Sequence, residues 1–208
     1  QELPGHEDTL RRWAQAYPDI GFGVVLPRVV WDRELPRLRR ELEAARQAGV
    51  TQALLGHIGQ LPLARSFGLT PRGDFGLGLT NDETAAELAR LGFASATASF
   101  ESRLAQIRDL SKPLDLELLV YGRLPLMLME HCILRNRGQG CHCQDKPQSL
   151  GDRKGEHFPV EPAWSCRNEL FNAKPLWLAD KTDWRTAGAA YARLAFLREC
   201  PGECARVF

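Results

Sequence analysis

The chain has no cysteine before residue 132 and no apolar run approaching 18 residues anywhere in its 208. The second absence excludes a transmembrane helix, which needs about 20 apolar residues in succession. Net charge is also nearly absent: 27 Lys and Arg stand against 26 Asp and Glu, for +1. No global field therefore draws the chain onto nucleic acid or an anionic membrane, and only a local basic patch remains open. The hydrolase signatures H-E-x-x-H and G-x-S-x-G are missing too. The first residues, QELPGHEDTL, have neither a basic n-region nor an apolar h-region, so they do not read as a signal peptide. They carry no initiator Met, and the expectation is a fragment or processed piece of a cytoplasmic protein. A core is not lacking. Hydrophobic residues make up 44% and charged residues 25%, the balance of a soluble globular protein rather than a disordered one.

Periodicity organises the first 122 residues. Leu10, Trp13, Ala14 and Tyr17 repeat at helical spacing, and Pro18 stops that helix. Residues 21–30 read as a strand. Residues 33–48 read as an amphipathic helix with Leu35, Leu38, Leu42 and Ala45 on one face and Gly49 as its stop. Strands follow at 51–57, 72–79, 94–100 and 116–122, and helices at 58–68, 83–91 and 102–110. The continuous apolar strands predict a parallel sheet buried on both faces. The repeated strand–helix unit predicts an α/β fold, an incomplete TIM-like (β/α) barrel. The expected division is a partial barrel over 1–124, a Cys-rich irregular insertion over 125–180, and a terminal helix and strand over 181–208 that complete the same domain.

The second region loses this rhythm. It holds Cys132, Cys141, Cys143 and Cys166 with scattered prolines and glycines, and Cys200 and Cys204 follow near the end. Such a stretch is long for a structureless loop and implies another source of order, such as a metal. Four thiolates within 35 residues suit a [4Fe–4S] cluster or zinc. Free thiols and disulfides are the other readings of the same spacing. His131 and His142 flank the cysteines as competing ligands or plain neighbours.

Several segments together resemble the U32 family, named as peptidases or collagenase-like proteases. They are GHIGQLPLARSFG, RGDFGLGLTND, LELLVYGRLPLM with its following EHC, DRKGEHFPV and CRNELFNAKPLWLAD. The resemblance covers about residues 20–207 and is closest to the C-terminal part of long bacterial members. It implies a TIM-like barrel and a [4Fe–4S] cluster on Cys132, Cys141, Cys143 and Cys166. The C-x-C of the middle pair departs from the shorter members, which leaves Cys200 or Cys204 as the alternative to Cys166 for the fourth ligand. Well-studied relatives hydroxylate bases of ribosomal or transfer RNA, or assist oxygen-independent ubiquinone hydroxylation. The resemblance thus implies an iron–sulfur enzyme of RNA-base hydroxylation. The alternatives are a collagenase-like peptidase and a non-catalytic fragment that zinc or a cluster only stabilises. The expected partners are RNA and the missing N-terminal barrel portion of the same protein, with no membrane.

Reactive groups of a TIM barrel sit at the C-terminal ends of its strands. That rule selects His57, Asp74, Glu101 and Arg123 as catalytic candidates, and Asn81 and Tyr121 as substrate-binding ones. His57 reads as a general base, a donor, or a hydrogen-bonded strand-end residue. Asp74 and Glu101 read as a carboxylate pair or as partners of Arg72 and Arg103. Asn81 reads equally as a helix cap. Arg153 and Lys154, beside Phe158 and Trp164, complete the substrate-binding set, since basic and aromatic residues together suit RNA. A solvated loop surface is the competing reading.

Overall fold

The computed structural model describes residues 7–133, 135, 147–181 and 183–208. The chain forms two compact units, Gln1–Leu118 with Asp183–Ala192, and Leu119–Thr182 with Arg193–Phe208. Each is assembled from two separate stretches of chain.

In the first unit, β1 (Gly23–Val25), β2 (Gln52–Leu55), β3 (Thr70–Gly73), β4 (Ser95–Thr97) and β5 (Asp115–Gly122) pair in parallel, in sequence order. The helices between them are α2 (Leu35–Gln47), α3 (Leu61–Ser66), α4 (Asp82–Arg90) and α5 (Leu104–Asp109), preceded by α1 (Glu7–Ala16). Consecutive right-handed crossovers place such helices on one side of the sheet. The result is a curled parallel half-barrel, compatible with an incomplete (β/α) barrel.

One local device recurs three times. After α2, α3 and α4 a glycine takes a left-handed φ, at Gly49, Gly68 and Gly92. The next residue, Val50, Leu69 or Phe93, is buried and returns its N–H to Ala45, Ala64 or Leu88 respectively. That is the helix-ending 6→1 bond with its apolar partner. It aims the chain straight into the following strand or the turn before it.

The strands do not meet the expectation of burial on both faces. Along β1, β2, β3 and β5, buried and accessible residues mostly alternate; β4 alone is buried throughout. Val24, Ala53, Leu55, Ala96, Leu116 and Leu118 form the buried face. Leu38, Leu42, Leu63, Ala85, Leu88 and Ile107 are the buried residues of the helices. Each buried Leu, Ile or Val side chain among them contributes about 2 kcal/mol by leaving water. The opposite face carries Gln52, Arg72, Ser95, Thr97, Asp115 and Glu117. The strand expected over 72–79 also differs. β3 ends at Gly73 and a 3₁₀ turn, Phe75–Leu77, follows. Glycine is required there: a Cβ on Gly76 would lie 2.5 Å from the Gly56 carbonyl oxygen, so two loops touch backbone to backbone.

The second unit contains the later half of β5, with β10 (Leu176–Trp177) antiparallel to it at Gly122 and Tyr121. It also holds a four-stranded antiparallel sheet in the order β6 (Pro125–Met129), β9 (Arg167–Phe171), β8 (His157–Ala163), β7 (Gln148–Gly151). β11 (Tyr191–Ala195) pairs with β5, and α6 (Pro201–Val207) ends the chain. The sheet supplies order in a region whose sequence shows no period. Its central strand β8 contains Pro159 and Pro162, paired opposite Ser149 and Asn168. Proline inside a central strand is rare because it cannot donate to the ladder, which is why the pattern hid the strand.

Among the described residues no helix is long and apolar enough to cross a membrane.

Candidate functional site

At the C-terminal ends of the parallel strands, four sequence-selected residues take up distinct positions. His57 is exposed, and its Nδ1 accepts the Gly59 N–H at 3.0 Å. With Nδ1 accepting, Nε2 is the ring's remaining donor nitrogen. Asp74 is buried and accepts the Phe75 N–H at 2.9 Å. Glu101 is exposed and follows β4. The ring next to each carboxylate packs on the other: Phe75 and Phe100 centroids lie 5.1 Å apart, and the Arg28 guanidinium sits 4.8 Å over Phe75. Asp74 and Glu101 therefore flank one aromatic contact. Asn81 caps α4, its Oδ1 accepting the Thr84 N–H at 2.9 Å.

The opposite face of the same sheet, accessible except along β4, carries polar groups that strand-end reasoning does not select. Arg72 Nε donates to Gln52 Oε1 at 2.6 Å and Nη1 donates to Ser95 Oγ at 2.9 Å. The guanidinium lies 4.9 Å over the Tyr191 ring, whose hydroxyl donates to Asp115 at 3.2 Å. Thr97 Oγ1 lies 2.8 Å from Glu117 Oε1 and donates to that carboxylate. The signal was available in the alternation: Gln52, Arg72, Ser95 and Thr97, Asp115 and Glu117 are the non-apolar alternates of four consecutive strands.

In the second unit, Tyr121 is buried between Trp177, at 5.1 Å and 83°, and Phe196, at 5.4 Å and 48°. Its hydroxyl donates to Glu199 at 2.9 Å. Burial first, and then the Glu199 carboxylate, hold the Tyr121 pKa above the usual phenol range. Partial burial of Glu199 acts to raise its pKa. Hydrogen bonds from backbone N–H groups, Leu197 among them, and from Tyr121 outweigh this and lower it overall. Arg123 donates to the carbonyls of Asn172 and Ala173, so it clips β5 to the β9–β10 connection. Arg153 and Lys154 lie exposed at the tip of the β7–β8 hairpin. Asp152 Oδ1 accepts the N–H of Lys154 at 2.8 Å and of Glu156 at 3.0 Å, and Gly155 has φ +80. The DRKG motif is thus an Asx-type hairpin turn in its geometry.

The cysteines divide. Cys141 and Cys143 lie outside the described residues. Cys132 follows β6 by three residues, and Cys166 immediately precedes β9. β6 and β9 are antiparallel with Met129 opposite Asn168, so both cysteines lie at the same end of one strand pair. Arg167, 2% exposed, binds Glu130 through Nε at 2.5 Å and Nη2 at 3.1 Å. The Ile133 N–H donates to buried Asn168 Oδ1 at 2.9 Å. These bonds hold the segment bearing Cys132 against the one bearing Cys166. Ser165 and Cys166 have φ of 58° and 62°, a left-handed pair that costs about 1 kcal/mol or more per residue without glycine. Both thiols are accessible to some degree and free. Cysteine sulfur is a soft ligand, of the kind that clusters and zinc take when deprotonated. Among the described residues no group of three or more His, Cys, Asp and Glu converges on a metal position.

Comparison with known proteins gives little. No protein-family model matches the chain, and no curated protein matches it. Among solved structures, the U32 peptidase Mk0906 is similar at 18% identity and a TM-score of 0.41, covering 55% of this chain and 52% of that one. The chain thus spans about half the length of that structure.

Proposed function

We propose that the chain is a U32-like iron–sulfur protein acting in hydroxylation of RNA bases. The observation that carries the reading is the placement of Cys132 and Cys166 at one end of the β6–β9 pair, fastened by Arg167–Glu130 and Ile133–Asn168. Cys132, Cys141, Cys143 and Cys166 are the residues that would hold a [4Fe–4S] cluster, which supplies one-electron chemistry when bound. Arg153 and Lys154 at the hairpin tip offer phosphate contacts. His57 offers a donor, and Asp74 and Glu101 offer carboxylates at the strand ends.

The peptidase alternative receives less support. The described Ser–His pair, Ser149 Oγ and His157 Nδ1 at 3.4 Å, is exposed on a hairpin. Among the described residues no carboxylate orients that imidazole, as nucleophilic catalysis requires. Anaerobic purification with iron, sulfide and zinc analysis and a visible spectrum tests the proposal. About four irons and four sulfides per chain are expected. Stoichiometric zinc, or no metal, sinks the redox reading.

A further inference from the structure

We propose that Arg72 is an oxyanion-binding subsite on the accessible face of the parallel sheet, taking the carboxylate or phosphate group of a ligand with an apolar body. The inference is independent of the iron–sulfur reading and uses no residue of it.

Arg72 is half-buried, yet both of its hydrogen-bond partners, Gln52 and Ser95, are neutral. Among the described residues it makes no ion pair. A cation drawn partly out of water without a counter-ion is costly, and two neutral acceptors and a ring face offset only part of that cost. The same three contacts fix the guanidinium plane. They engage Nε and one Nη1 proton and, among the described residues, leave the other Nη1 proton and both Nη2 protons without a partner. Paired N–H donors on a fixed plane match the two oxygens of a carboxylate or phosphate.

The surroundings are built for holding rather than for neutralising. Tyr191 carries the guanidinium on its ring and is itself oriented by Asp115. Gln52 is oriented by close backbone approach: a Cβ on Gly21 would lie 2.6 Å from its Nε2. Strand register then sets the polarity of the site. The row across the sheet runs Val25, Leu54, Arg72, Ser95, Asp115. On the Asp115 side two carboxylates, Asp115 and Glu117, repel an anion. On the other side Leu54 and Val25, the latter 71% exposed, offer an apolar surface. An anionic head on Arg72 with an apolar body over Leu54 and Val25 satisfies both sides.

The test is a titration of the ¹⁵N-labelled full chain with inorganic phosphate and, separately, with benzoate, at constant ionic strength. The readout is the Nε–Hε resonance of Arg72 in the parent chain, assigned by its loss in Arg72→Lys, and, in parent and variants alike, the backbone amide resonances of Leu54 and Ala96 on the neighbouring strands. A saturable shift is expected, with affinity weakened about tenfold in Arg72→Gln and less in Arg72→Lys, which keeps charge but loses the fork. Arg39→Gln, on exposed α2 surface, leaves it unchanged. Tighter benzoate binding identifies a carboxylate ligand with an apolar body; tighter phosphate binding identifies a phosphate ester. Absence of a saturable Arg72 shift with either anion overturns the proposal, as does equal affinity in Arg72→Gln. If Arg72→Gln does not fold, Ser95→Ala replaces it. Several-fold weakening there supports the site, and unchanged affinity overturns it.

Discussion

The two sheets of this protein are held by different forces. The parallel sheet is held by apolar side chains at regular spacing, and its helices end in one repeated glycine-plus-apolar device. The antiparallel sheet is fastened by arginines. Arg167 joins Glu130 and the Trp164 carbonyl, Arg198 joins Glu161 and the carbonyls of Gln148 and Val160, and Arg123 joins Asn172 and Ala173. The first mode leaves a period in the sequence. The second leaves isolated arginines that no period announces.

Five measurements sharpen or break that contrast. The largest effect belongs to Cys132→Ser in anaerobically prepared protein. Iron content is expected to collapse and the melting temperature to fall by several degrees, because metal-binding free energy is folding free energy. An unchanged melting curve would remove the metal from the second unit's stability. Leu55→Ala, fully buried in the first unit, is expected to cost about 3 kcal/mol in urea unfolding. Arg167→Met is expected to cost about 2 kcal/mol. That is less than a fully buried pair, since Glu130, 56% exposed at its side chain, rehydrates. A cost near zero would mean the arginine clamps are ornamental. Asn81→Ala is expected to cost about 1 kcal/mol as a lost helix cap.

The smallest effect is a pH dependence. The raised Tyr121 pKa gives stability that is complete below the unfolded phenol value of about 10 and lost as pH rises through the folded value. The lowered Glu199 pKa gives stability present above the unfolded carboxylate value of about 4 and lost as pH falls through the folded one. Tyr121→Phe should flatten the alkaline limb of a plot of stability against pH. A limb of equal slope in that variant would assign it to another group.

The parallel sheet was legible because Leu38, Leu42 and Leu88 mark helix faces and Gly49, Gly68 and Gly92 mark their ends. The 3₁₀ turn after Gly73 was not, since Gly-Asp-Phe-Gly reads as strand until the contact with Gly56 is known. β8 and β9 were hidden by Pro159 and Pro162 and by the polar burial of Arg167 and Asn168. The strand-end rule selected His57, Asp74 and Glu101, which follow β2, β3 and β4 in the structure, and it does not reach Arg72, which lies on the face and not at the end. Arg123, selected by its position after the last parallel strand, donates through Nη1 to the carbonyls of Asn172 and Ala173.

The first unit closes with Asp183–Ala192, far along the chain from the rest of it. During synthesis the ribosome releases Arg72 well before the residue that stacks on it. Tyr191 and the Ala190 N–H, which bonds the Leu116 carbonyl at 2.8 Å, arrive only after residues 119–182 have been looped out. The nascent half-barrel therefore carries an uncovered arginine through most of its translation. A chain arrested before residue 190 would hold the sheet without the stack, with Asp115 released from its phenol. Stacking of Tyr191 on Arg72 is, in this sense, a mark that translation has passed residues 119–182.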